Sequence, residues 1–148
     1  MPAQAGAVLT MAVINRTQAL VLGFFVLAWV ALITILVVAP EVYDRGLRHA
    51  PGSQPAAEIV FAAGLSGLIA VACAGVVRRR RWAFWLILIA FFAGVLRVPA
   101  AALQLTGYLA PDGPTWYVAL QGVIGVVQFA IAMAMLAGYR RRGIWGAF

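Results

Sequence analysis

The chain of 148 residues is 65% apolar and 10% charged, more hydrocarbon than the interior of one water-soluble domain of that length can hide, which excludes an ordinary soluble enzyme or binding module. Its net charge of +7 rests on arginine alone, and the arginines flank apolar runs instead of lining one face; this excludes the footprint of a nucleic-acid binder and points to anionic lipid headgroups. A single cysteine, Cys73, excludes an intrachain disulfide framework or a cysteine-pair metal site and reads as a small packing residue.

Met1 to Asn15 lacks the basic stretch that opens a signal peptide, and the apolar run from Ala19 to Ala39 is longer than a signal core. It is therefore read as a retained first helix over about residues 17–39, with Met11 an alternative start. Twenty residues at about 1.5 Å each span a hydrocarbon layer of about 30 Å. Pro40 and the charged Glu41-Val42-Tyr43-Asp44-Arg45 mark its exit, and Pro51-Gly52-Ser53-Gln54-Pro55 supplies turn chemistry.

The second helix is expected over about 56–77. Residues of small or modest size recur every four positions in Ala62, Ser66, Ala70, Ala74 and in Ala63, Gly67, Val71, Gly75, a spacing that lets helices approach closely in lipid, so this helix is expected at the centre of the bundle. Arg78 to Arg81 stop it, with Trp82 and Trp85 at the depth indoles prefer. A third helix over about 82–106, a loop with Pro111-Asp112-Gly113-Pro114, and a fourth helix over about 115–139 complete the spans. The tail from Gly143 to Phe148 reads as an interfacial anchor.

Eight arginines (Arg16, Arg78 to Arg81, Arg140 to Arg142) fall on one side of these spans and two, Arg45 and Arg48, on the other. The expectation is an all-α, four-transmembrane-helix bundle of a bacterial inner or plasma membrane, both termini cytoplasmic, with no soluble domain.

Ionisable groups inside a bilayer are costly and ask for an explanation. Arg97 lies on the third helix, with Gln104 seven residues later on the same face; Gln121 and Gln128 repeat that spacing on the fourth. Depths from the outer helix ends come to roughly 3 Å for Gln104, 9 Å for Gln121, 13 Å for Arg97 and 20 Å for Gln128, which predicts one polar seam between the two helices. Helical side chains lean toward their N-terminus, so Arg97 leans deeper and away from the nearer headgroups; an inward position is favoured over an oligomer interface or snorkelling. Pro99 leaves the Val95 carbonyl without its helical donor and predicts a kink, with Arg97 or a glutamine of the fourth helix as substitute donor. Glu58, in the first turn of the second helix, reads as a carboxylate favoured by the helix dipole near water, or as a partner of Arg97. His49, near Glu41, Asp44 and Glu58, offers a weak surface metal site; no metal or cofactor is expected. Ser66 has no base to activate it, and Thr34 is expected to bond back within its own helix.

Val38-Ala39-Pro40-Glu41-Val42-Tyr43, Arg97-Val98-Pro99 with Leu103-Gln104-Leu105, and Gly138-Tyr139-Arg140-Arg141 resemble small four-helix integral membrane proteins of actinobacteria, a match extended by the lysine-free, Ala-, Gly-, Val- and Arg-rich composition. Size and helix count are similar to the DoxX-like group. The resemblance spans the whole chain and implies a membrane bundle; it carries over no activity, cofactor or site residue.

Three functions stay open. The first is a non-enzymatic membrane component, either an accessory or assembly subunit beside other membrane subunits or a binder of a lipid-like ligand. The second is a small transporter or channel, working as a homo-oligomer, with Arg97 as an anion site. The third is an intramembrane enzyme using Glu58 with Arg97. Membrane lipids are the expected partners in all three.

Overall fold

A computed structural model describes residues 14–40, 42–43, 55–111 and 113–147. The described residues form five helices and no strand: α1 (Arg16–Val38), α2 (Pro55–Val77), α3 (Arg81–Gly94), α4 (Arg97–Leu105) and α5 (Thr115–Arg142). Helices α3 and α4 follow one path, so four spans are long and apolar enough to cross a membrane, as expected: Arg16–Val38, Ala56–Val77, Arg81–Leu105 and Thr115–Arg142. Their outward surfaces are hydrocarbon, with Leu27, Val37, Val38, Val60 and Leu96 among the most exposed side chains. In water such a surface would aggregate; in acyl chains it is the natural exterior. The chain is a small multi-pass membrane protein.

The spans pair as two hairpins, α1 with α2 and α3–α4 with α5, and the hairpins meet mainly at the end that carries both described termini. The packed core lies there: Val21 of α1, Val76 of α2, Ala83, Phe84, Ile87 and Phe91 of α3, Ile131, Ala132 and Met135 of α5, and Trp145 of the tail. Gly75 permits this closeness, since a Cβ on it would stand 2.6 Å from the Ala83 Cβ.

Polar ties close the same end. Asn15 caps α1, accepting from the Gln18 N–H at 2.9 Å, while the Gln18 Oε1 accepts the Asn15 N–H at 3.2 Å. Gln18 Nε2 donates to the Val76 carbonyl at 2.7 Å, sharing that acceptor at the end of α2 with the Arg79 N–H at 3.1 Å. Thr17 Oγ1 donates to the Gly146 carbonyl at 2.7 Å, Asn15 Nδ2 donates to the Trp145 carbonyl, and Trp145 Nε1 donates to the Arg80 carbonyl at 3.1 Å. The expected interfacial anchor is thus a latch: Gly143 (φ 80°) turns the chain back beneath α5, and Trp145, 3% exposed, packs edge-on against Phe84. Trp145 itself sits at φ 59°, a conformation costing roughly 1–2 kcal/mol that its burial and hydrogen bonds sustain.

Helix α2 departs from its expected central place. Ala62 and Gly75 are buried and Ser66 accepts from Trp29 Nε1 at 3.0 Å, but Ala63, Gly64, Gly67, Ala70 and Ala74 are exposed. The reason is geometric: α2 follows α1 along its length and approaches α3 chiefly at its C-terminal end, so one small-residue face meets nothing. Thr34 donates back to the Val30 carbonyl at 2.8 Å, as its sequence context suggests.

The latch is testable. Trp145→Ala removes a buried aromatic and is expected to cost about 3–5 kcal/mol, seen as a lower thermal midpoint in detergent. Trp145→Phe keeps most of the packing, loses the bond to Arg80 and is expected to cost nearer 1 kcal/mol. A tail that only anchored in lipid would leave both midpoints unchanged.

Candidate functional site

Away from the latched end the hairpins part. Between them lies a cavity of about 580 Å³ walled by α1, α2, α3 and α5, with Arg97 of α4. Its floor carries an aromatic bridge beside Ala72, Leu86 and Ile87: Phe24 and Phe91 meet edge to face with centroids 4.9 Å apart, and Phe25 lies 5.9 Å from Phe91, joining the hairpins at the edge of the packed core. Above the floor the wall is hydrocarbon, from Leu32, Leu68, Ile69, Ala90 and Ile124 among others. Among the described residues, polar side chains enter it only from Tyr43, Arg97, Tyr117, Gln121 and Gln128.

The seam owes its shape to glycine. Gln121, Gly125 and Gln128 stand four and three residues apart on α5 and so share a face. A Cβ on Gly125 would lie 2.8 Å from the Gly94 carbonyl oxygen and 3.3 Å from the Arg97 Cβ, so the absence of a side chain lets α5 close on the α3–α4 junction just where the arginine emerges. One turn on, Gly122 meets Ala101, whose Cβ would be 3.2 Å from one added there.

The junction itself is a helix break. Instead of bonding four residues back, the Val95, Leu96 and Val98 N–H groups donate three back, to Phe92 (3.2 Å), Ala93 (3.1 Å) and Val95 (3.0 Å). The helix therefore tightens and restarts at Arg97, two residues ahead of Pro99. The Val95 carbonyl deprived by Pro99 is met by the Val98 backbone, which corrects the expectation that Arg97 or a glutamine would serve it. Gly107 (φ 82°) ends α4 in a Schellman turn, with the Tyr108 N–H donating to the Leu103 carbonyl at 2.9 Å.

Each polar group in the cavity has a distinct state. Gln121 Nε2 donates to the Tyr117 hydroxyl at 2.7 Å; among the described residues nothing takes that hydroxyl's own hydrogen and nothing donates to Gln121 Oε1. Tyr43 has given its hydrogen, its hydroxyl donating to the Leu32 carbonyl at 2.8 Å; burial, and then the neighbouring Tyr117 phenol, push its pKa above the usual 10 and keep it neutral. Gln128 Oε1 is buried against Gly94 with no hydrogen-bond donor among the described residues, so the carboxamide's remaining polar group is its Nε2 donor. Arg97 is exposed on the cavity wall, and among the described residues no hydrogen bond or salt bridge holds its guanidinium.

Three of the residues marked in the sequence, Arg97, Gln121 and Gln128, thus line one cavity. Gln104 is half-buried on the Arg97 face of α4 with contacts of its own, away from the cavity wall. Glu58 is 6% exposed and engaged in contacts of its own; it is buried where the sequence suggested a water-facing carboxylate, and it does not line the cavity. His49, Glu41, Asp44, Arg45 and Arg48 lie outside the described residues. The two tyrosines escaped notice in the sequence; Tyr117 carried a signal, since it stands one turn before Gln121.

The close approach at Gly125 has a measurable consequence. Gly125→Ala is expected to destabilise the protein by about 1–3 kcal/mol, because the added methyl collides with backbone. Gly64→Ala, into open space on a helix, is expected to be neutral or to stabilise by up to about 1 kcal/mol. Thermal midpoints of the two variants in one detergent decide the matter; equal shifts would deny the packing.

No protein family, curated protein or solved structure matches the chain, so what stands of the resemblance in its sequence is four long apolar helices.

Proposed function

We propose that this chain is a non-enzymatic component of the cell membrane, its arginine-rich end in the cytoplasm, that holds an amphipathic, lipid-like ligand between its two hairpins. The observation that carries this reading is the cavity of about 580 Å³, hydrocarbon over most of its wall, with a small polar set gathered around Arg97. Ligand pockets run from about 300 to 1,000 Å³ and combine such a lining with a few orienting polar groups. The hydrocarbon would house a chain or ring system, and the polar set would orient a head.

The competing readings draw less support. A channel or carrier needs a path through the bundle, whereas the Phe24–Phe91 floor and the core at the latched end close this one on one side. An acid–base enzyme built on Glu58 and Arg97 needs both at one substrate, and Glu58 lies off the cavity wall.

Filling the cavity tests the proposal. Ala90 lines it, and Ala90→Phe is expected to displace the ligand while leaving the latched core intact. Protein purified in mild detergent is extracted and its lipid content quantified by mass spectrometry. The expected result is about one retained amphiphile per wild-type chain and a several-fold loss in Ala90→Phe. Val126→Phe, on the exposed side of α5, is expected to retain the wild-type amount. Equal lipid content in all three proteins would overturn the proposal.

A further inference from the structure

The cavity's charge is unbalanced among the described residues. Arg97 brings a guanidinium, which only donates; Gln128 has its Nε2 left, and Tyr117 its hydroxyl hydrogen. Its acceptors are all neutral: Gln121 Oε1, Gln128 Oε1 buried against Gly94, and the phenol oxygens of Tyr43 and Tyr117. No carboxylate lines its wall among the described residues. A guanidinium on a hydrocarbon wall within the membrane span is costly unless an anion meets it, and an anion with oxygens spread over a planar or tetrahedral face matches its fork.

We infer that the cavity takes an anionic lipid, its phosphate or carboxylate head on Arg97, Gln128 and Tyr117 and one of its chains running down to the Phe24–Phe91 floor. This rests on the ligand-binding reading above and adds the class of the ligand. Three features carry it together. The unpaired positive charge selects the sign of the head. The guanidinium fork, with no carboxylate on the wall among the described residues, selects an oxyanion over a hydroxyl or an amine. The hydrocarbon wall below Arg97 selects a lipid over free phosphate, because a small ion would leave most of the volume empty. Arg97 is set for this work by the backbone: the helix restarts at it, and Gly125 opposite leaves its stem room against α5.

The test compares heads on a constant chain. Wild-type protein in mild detergent is titrated with oleoyl lysophosphatidic acid, with monooleoylglycerol, which lacks the phosphate, and with inorganic phosphate, and binding is followed by native mass spectrometry. The phosphate lipid is expected to bind at least about tenfold more tightly than its neutral counterpart, the difference a charge-assisted hydrogen-bonded contact makes. Inorganic phosphate alone is expected not to compete at millimolar concentration. Arg97→Gln is expected to bring the two lipids within about twofold of each other, while Arg97→Lys restores part of the preference. Wild-type protein that binds both lipids equally overturns the anionic head and leaves the cavity reading standing. Protein that binds neither overturns both. Phosphate that competes fully overturns the lipid source. A preference that survives in Arg97→Gln, with that variant's thermal midpoint unchanged, overturns the role given to Arg97.

Discussion

A membrane interior has no water to answer a polar group, so every donor and acceptor in this chain has to be met from within the protein or by a ligand. Most are met locally. Thr34 turns back to Val30, Trp29 finds Ser66, Tyr43 finds Leu32, and the carbonyl freed by Pro99 takes the Val98 N–H. Against that background Arg97 stands apart: a permanent charge on a hydrocarbon wall that no described residue neutralises. The cavity, the break between α3 and α4 and the glycines of α5 all bear on that one group.

The two ends of the molecule divide the work. At the latched end, Asn15, Thr17, Gln18 and Trp145 tie the start of α1, the end of α2, the start of α3 and the tail into one closed arrangement with the main core beneath it. Beyond that core, among the described residues, the hairpins meet at the aromatic bridge of Phe24, Phe25 and Phe91 and at the neighbouring Tyr43 and Tyr117. A bundle fastened at one end and parted at the other can admit a chain between its hairpins without unpacking its core. Stability and binding then draw on separate sets of residues, so substitutions at one end need not disturb the other.

Much of this was legible in the sequence, and the part that was not has a physical cause. Long apolar runs and the arginine clusters between them locate the spans to within a few residues, because length and hydropathy are one-dimensional properties. The seven-residue spacings of Arg97 with Gln104 and of Gln121 with Gln128 point to one face per helix, and three of the four residues line the cavity. Gln104 does not, because position along an axis does not determine which neighbour a face meets. The small residues of α2 misled for the same reason: they permit close packing without stating against what. Trp145 was hardest to place. A tryptophan after a basic run has the same local signature whether it lies in headgroups or folds under the bundle, and only the positive φ at Gly143 and the polar partners on α1 distinguish the two.

The central claim is that an amphiphile lies between the parted hairpins with its head at Arg97. A structure determined by electron microscopy in lipid nanodiscs tests it most directly. Elongated density rising from the Phe24–Phe91 floor and ending within hydrogen-bonding distance of the Arg97 guanidinium is the expected result. Hairpins closed onto each other along their whole length, with the guanidinium turned out into the surrounding lipid, would contradict it.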